Sequence, residues 1–142
     1  MCLRAPDRSY RVEVGVELLP ARDDGAGDAG AGDAGASAGL LLFFNHRLFL
    51  GLELSRGRLQ AWTGGTRTWG GEPLPEDVRA LELAIVKREN IVDMHYRAPG
   101  AEEWTHYPLT LECSDYHECN FLNPCLPIVL LAAANCIILQ VV

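Results

Sequence analysis

Apolar residues recur at every second position in several short stretches of this chain. From Ser9 to Leu19, Tyr10, Val12, Val14, Val16 and Leu18 fall on one side, and Arg11, Glu13, Gly15 and Glu17 on the other. Successive side chains of an extended backbone point to opposite faces, so period two predicts a half-buried strand, ended here by Pro20. Gly39 to Phe44 is continuously apolar, as in a strand covered on both faces. After the polar break Asn45-His46-Arg47, alternation resumes: Leu48, Leu50, Leu52 and Leu54 form one face, and Phe49, Gly51 and Glu53 its reverse. Ser55-Arg56-Gly57 reads as a tight turn with glycine available for positive φ, leading into a partner strand from Arg58 to Trp62. Val78 to Arg88 alternates with Leu81, Leu83 and Ile85 inward, then Glu89-Asn90 turns the chain. Ile91 to Arg97 follows with Val92, Met94 and Tyr96 inward, and beyond Pro99-Gly100 the stretch from Trp104 to Leu111 is a further strand candidate. Short strands separated by turn signals predict an all-β antiparallel sandwich. No segment before Cys113 has a convincing helical period.

Two segments stand apart. Residues 22–37 are low in complexity, with GDAGA at Gly27–Ala31 and again at Gly32–Ala36, and predict a flexible excursion between strands. The aspartates in it, Asp23, Asp24, Asp28 and Asp33, match neither the EF-hand loop nor the RTX repeat, so no calcium site is read. From Cys125 to Val142 the chain is apolar except for Asn135 and Gln140. A spanning helix needs about 20 apolar residues, and no basic cluster flanks this run to orient one. A buried terminal strand with a short helix is therefore preferred over a membrane tail anchor. Ile137, Ile138, Val141 and Val142 favour strand.

Charge and cysteine content narrow the function. The 142 residues carry 19 acidic and 12 basic side chains, a net charge of −7. Nucleic acid is excluded as a partner, because neutralising phosphates needs clustered Lys and Arg, and anionic membrane surfaces are disfavoured on the same ground. The opening MCLRAPDRSYRVEV has no apolar run of the secretory kind, which sets the expectation of a cytoplasmic chain. The five cysteines, Cys2, Cys113, Cys119, Cys125 and Cys136, are odd in number and crowded toward the end, unlike a disulfide framework.

Three stretches together carry a resemblance: AGLLLFFNHRLFLGLELSRGRLQAW (Ala38–Trp62), LELAIVKRENIVDMHYRAPGAEEWTHYP (Leu81–Pro108) and SDYHE (Ser114–Glu118). They resemble the C-terminal concanavalin A-like β-sandwich of glycoside hydrolase family 43 β-xylosidases and arabinofuranosidases. The family pattern there runs AGL-x-LF-Y/F-N into a glycine-bearing strand. A hairpin follows with a Tyr-Ser-x-Asp-Gly-x-x-Trp-Thr type turn, and a Ser-Gly-Tyr-His-His-like stretch closes the match. DRSYRVEVGVEL (Asp7–Leu18) fits the family's opening strand. The resemblance implies a jelly-roll sandwich over residues 1–120 and an accessory role, since that family's catalytic carboxylates sit on a separate β-propeller. None of the propeller motifs is present here. Beyond the Tyr-His step the family's Gly-Gly-Phe-Leu-Ser-Leu-like strand and final strand are replaced by CNFLNPCLPIVLLAAANCIILQVV. Residues 121–142 thus read as a divergent hydrophobic tail, with closing strands of the sandwich missing or altered.

Candidate chemistry lies on the reverse sides of the alternating strands. Phe49, Gln60 and Trp62, with Glu53, and then Asp93, His95 and Arg97 are the residues expected to contact carbohydrate if their strands are neighbours. An aromatic ring stacks on the apolar face of a sugar while polar groups beside it bond the hydroxyls. Trp69, in a glycine-rich loop, could serve the same purpose, and Trp104 is expected to pack its hairpin. Cys113, His117, Cys119 and Cys125 are zinc-type ligands, but C-x3-H-x-C-x5-C lacks the paired C-x2-C knuckle, so neither a metal nor a cofactor is expected. A glycosidase needs two carboxylates about 5–9.5 Å apart across the scissile bond. Glu102, Glu103, Glu112, Asp115 and Glu118 read as solvent-facing acids, and an Asp115–His117 acid–base pair ranks below a polar loop. No Gly-x-Ser-x-Gly elbow is present. The expectation is a non-catalytic accessory sandwich of a xylan-degrading hydrolase, partnered by its catalytic domain or by plant-type polysaccharide. The alternatives are a stand-alone xylosidase-like hydrolase and a structural remnant with a membrane tail.

Overall fold

Each alternating stretch is a strand. The structure, a computed structural model, describes residues 2–4, 9–19, 36–45, 47–55, 57–68, 70–114, 127–132 and 136–141. Among them the strands are β1 (Cys2–Arg4), β2 (Tyr10–Leu18), β3 (Ser37–Asn45), β4 (Leu48–Ser55), β5 (Arg58–Thr63) and β6 (Thr66–Arg67). Then follow β7 (Glu72–Pro73), β8 (Ala80–Arg88), β9 (Ile91–Arg97), β10 (Thr105–Glu112), β11 (Pro127–Ala132) and β12 (Cys136–Val141). No helix occurs among the described residues, so none there is long and apolar enough to cross a membrane.

All pairings are antiparallel and make two sheets. The first sheet runs β1-β11-β3-β4-β5-β6, with β7 also against β5, and the second runs β10-β9-β8-β2-β12. Their inner faces form one core. Ala38, Leu40, Leu42, Leu50, Leu52, Leu54, Leu59 and Ala61 come from the first sheet, and Val12, Val14, Val16, Leu81, Leu83, Ile85, Val92 and Met94 from the second. Burying a leucine or valine side chain stabilises the fold by about 1.5–3 kcal/mol, which is why register is so well specified by the pattern. Tyr107 on β10 crosses the interior. Burial pushes its phenol pKa up, against hydrogen bonds with the Ala61 backbone on β5 and the Thr68 side chain just after β6.

The turns follow their residues. Asn45 Oδ1 accepts the backbone N–H of Arg47 at 2.8 Å and of Leu48 at 2.9 Å, the side-chain-mimicked turn that asparagine favours between β3 and β4. Gly64 and Gly65 both have positive φ, 55° and 73°, as the tight hairpin between β5 and β6 requires.

In the tail, where the sequence predicts a buried terminal strand with a short helix, the described residues form two strands. Its described residues are β11 and β12, one in each sheet: β11 lies between β1 and β3, and β12 flanks β2. The closing strands left open by the family pattern are therefore supplied from beyond residue 126, in a different sequence. The GDAGA repeats up to Gly35, and Trp69, Asp115, His117, Cys119 and Cys125, lie outside the described residues.

Candidate functional site

The candidate residues occupy two separate surfaces. Phe49, Glu53, Gln60 and Trp62 lie on β4 and β5 of the first sheet, whereas Asp93, His95 and Arg97 lie on β9 of the second. Both groups point away from the core, so they stand on opposite sides of the sandwich. The expected single face therefore does not form. The reason is topological: β5 and β9 carry the same alternation but belong to different layers, and period two fixes the face of a strand without fixing its sheet.

On the first sheet the outward residues assemble into a row across three strands. Phe43 pairs with Phe49 across β3 and β4, their ring centroids 6.1 Å apart and nearly parallel. Phe49 is 5.3 Å from the Trp62 ring, and the Arg67 guanidinium on β6 stands 5.1 Å over the indole. Glu53 fastens the far end: Trp62 Nε1 donates to Glu53 Oε2 at 2.7 Å and Arg67 Nη2 to Glu53 Oε1 at 3.2 Å. The Glu53 side chain is 3% exposed and that of Arg67 is 60% exposed, so the ion pair runs from interior to solvent. Gln60 points outward with them but is covered instead. It is buried, its amide donating to the Thr68 carbonyl and hydroxyl, so it braces the segment after β6 and offers nothing to solvent.

Two bare positions sit beside this row. A Cβ at Gly51 would lie 2.1 Å from the Leu40 carbonyl oxygen, and one at Gly39 would lie 2.2 Å from that of Leu52. Gly51 also has φ of 153°. β3 and β4 thus approach as closely as they do because neither position has a side chain.

On the second sheet the outward cluster is polar. Thr110 Oγ1 donates to Asp93 Oδ1 at 2.7 Å, and His106 Nε2 lies 3.5 Å from the same oxygen. The threonine bond, then His106 and Arg88, hold the Asp93 carboxyl below its ordinary pKa against the opposing effect of burial. The His95 and His106 rings meet edge to face with centroids 5.1 Å apart. Burial, then the neighbouring His106 and Arg11, lower the His95 pKa, and its Nδ1 is buried with no hydrogen-bond partner among the described residues. Trp104 lies between two arginines, 4.2 Å from Arg97 and 4.9 Å from Arg11. Arg97 pairs with Glu82 and Arg11 with Glu13. Trp104 thus packs its own hairpin onto the sheet, as its position at the turn implied.

No group of three metal-ligating side chains capable of holding an ion occurs among the described residues. Cys113 is buried, and that burial raises its thiol pKa, which makes it a poor nucleophile.

Sequence reasoning missed Phe43, Arg67, Trp104's arginine pair, His106 and Thr110. Phe43 was hidden because its strand is apolar on both faces. His106 and Thr110 were legible from the alternation after Trp104. Arg67 lies in a two-residue strand, too short to carry a period.

Comparison with known proteins bears on the fold. No family model and no curated protein sequence matches the chain. Among solved structures, it is similar to the xylan β-1,4-xylosidase from Bacillus halodurans, with TM-score 0.66 and 15% identity over 90% of this chain and 25% of that one. It is likewise similar to the GH43 BlXynB protein from Bacillus licheniformis, with TM-score 0.63 and 15% identity over 89% of this chain and 24% of that one. A functionally unknown protein from Saccharomyces cerevisiae matches with TM-score 0.62 and 11% identity, over 93% of this chain and 63% of that one. The chain therefore spans about a quarter of the length of the two bacterial proteins. Its fold is the all-β antiparallel jelly-roll sandwich that the resemblance implied.

Proposed function

We propose that this chain is a non-catalytic accessory β-sandwich of a xylan-degrading glycoside hydrolase, and that the outer face of its first sheet contacts carbohydrate. The observation that carries the reading is the match of nearly the whole chain to a quarter-length portion of xylosidase chains. That fold likeness is joined by an aromatic row, Phe43-Phe49-Trp62, on one outer face. Aromatic faces stack on the C–H side of a pyranose, and the exposed guanidinium beside them bonds hydroxyls. Glu53, the buried carboxylate among the described residues, is bonded to Trp62 and Arg67, a positioning role unlike that of a glycosidase acid. The partners on this reading are the catalytic domain of such an enzyme and a xylan-type polysaccharide.

Electrophoresis through a gel containing xylan tests it. The wild-type chain should be retarded and Trp62→Ala should migrate as in a blank gel, while Trp104→Ala on the opposite face stays retarded. Hydrolysis of an aryl xyloside or arabinoside by the purified chain alone would overturn the non-catalytic reading.

A further inference from the structure

The charges of this acidic chain are unevenly spread. Between Ser37 and Gly71 the sequence contains four arginines, Arg47, Arg56, Arg58 and Arg67, and one carboxylate, Glu53. That segment, which builds β3 to β6 and bears the aromatic row, is therefore net positive in a chain of net charge −7. The single carboxylate is 3% exposed, so the charged side chains that the described part of this segment presents to solvent are those of Arg47, Arg58 and Arg67. Arg47 is exposed in the β3–β4 turn, beside the Phe43–Phe49 pair, and its backbone abuts the Gly64-Gly65 turn that leads to Arg67.

Arg67 is fixed and yet available. Its guanidinium is held over Trp62 and tied to Glu53, while its side chain remains 60% exposed. A guanidinium has five N–H donors in a planar fork, so one bond to Glu53 leaves donors for a second carboxylate. Next to it lies the aromatic row, with ring centroids 5.3 Å (Trp62–Phe49) and 6.1 Å (Phe49–Phe43) apart. Planar cation and aromatic surface together define the ligand class.

We infer that this face takes a carboxylate-bearing saccharide, a uronate-substituted xylan-type chain, with the uronate on Arg67 and a neighbouring sugar ring on Trp62 and Phe49. The inference rests on the carbohydrate-contact reading above and goes further in naming the substituent. Glu53 is the positioning residue: it sets the rotamers of both Trp62 and Arg67 by accepting from each.

Binding of the whole chain to an uronate-bearing xylo-oligosaccharide and to the neutral oligosaccharide of the same length, measured by calorimetry, tests this. The acidic ligand should bind about tenfold tighter at low salt, the scale of one charge-assisted bidentate contact. That preference should fade as ionic strength rises. Arg67→Gln should abolish the preference while neutral binding persists, and Arg67→Lys should restore part of it. Arg58→Gln removes the same charge at the opposite end of β5 and should leave the preference intact. Equal binding of both oligosaccharides overturns the uronate assignment alone. Binding of neither overturns the carbohydrate reading with it. An equal loss in Arg58→Gln, or equally tight binding of poly-glutamate or a single-stranded oligonucleotide, would mean a diffuse cationic surface and also overturn the assignment. Thermal melts of each variant establish that the sandwich is intact.

Discussion

Each outer face of the sandwich holds a tryptophan beside arginine and glutamate, yet the two arrangements work in opposite directions. On the first sheet the glutamate lies beneath: Glu53 is 3% exposed and pulls both Trp62 and Arg67 toward the sheet. On the second sheet the arginines are flanked by partly exposed glutamates, and two guanidiniums crowd one indole, Trp104. The first arrangement fixes a ring and leaves an arginine reaching into solvent. The second closes a hairpin onto its own sheet. What separates a candidate contact surface from a structural clasp here is the burial of the carboxylate, because an ion pair rooted in the interior holds its geometry where a solvated one yields to water and salt.

The largest effect should come where the first sheet has no side chain at all. Gly51→Ala forces a Cβ against the Leu40 carbonyl and is expected to cost about 3 kcal/mol or more, read as a fall in the denaturant midpoint. A neutral substitution there would mean that β3 and β4 do not approach as described. Next comes the carboxylate itself. Glu53→Ala leaves the Trp62 N–H and Arg67 without their acceptor and should cost about 2 kcal/mol, whereas Glu82→Ala on the other face should cost under about 1 kcal/mol. Equal costs would erase the distinction between the two faces. Glu53→Gln keeps an acceptor for Trp62 and should fall between them.

Smaller effects sharpen the second face. Arg11→Ala removes one cation from Trp104 and should cost about 0.5–1 kcal/mol in a thermal melt, with no change in retention on xylan. The pH response should also be local. The folded state lowers the His95 pKa below its ordinary 6.5, so His95 favours folding while neutral. Its contribution is complete above that value and declines as pH falls through the lower folded value. His95→Gln should flatten the loss of stability on mild acidification below about pH 6.5, and a wild-type melting temperature that rises on acidification would contradict this. The Asp93 carboxyl is lowered as well, so its contribution disappears only at more acid pH, as pH falls through its depressed value.

The layered fold was readable because the core is built from alternation. Val12, Val14 and Val16, Leu50, Leu52 and Leu54, and Leu81, Leu83 and Ile85 all point inward as their period implied. The turn at Ser55-Arg56-Gly57 follows its glycine, with φ of 70° at Gly57. The tail was less readable, since an apolar run without alternation suits a helix or a strand covered on both faces equally well. Its assignment to β11 and β12 comes from partners far away in sequence, β3 and β2. Gln60 shows the same limit at one residue. Its position on the outward face was right, but only the Thr68 segment folded over it determines that it is buried.

Period two by itself determined that this chain forms strands, which side of each strand is dry, and that Phe49 and Trp62 each point outward from theirs. Those are local properties, set by backbone geometry and the cost of hydrating apolar side chains. Tertiary structure decided which strands became neighbours. It put Trp62 with Arg67 and Glu53, and Asp93 with His106 and Thr110, on opposite sides of the molecule, because sheet membership depends on which distant strands pair and no local spacing encodes that.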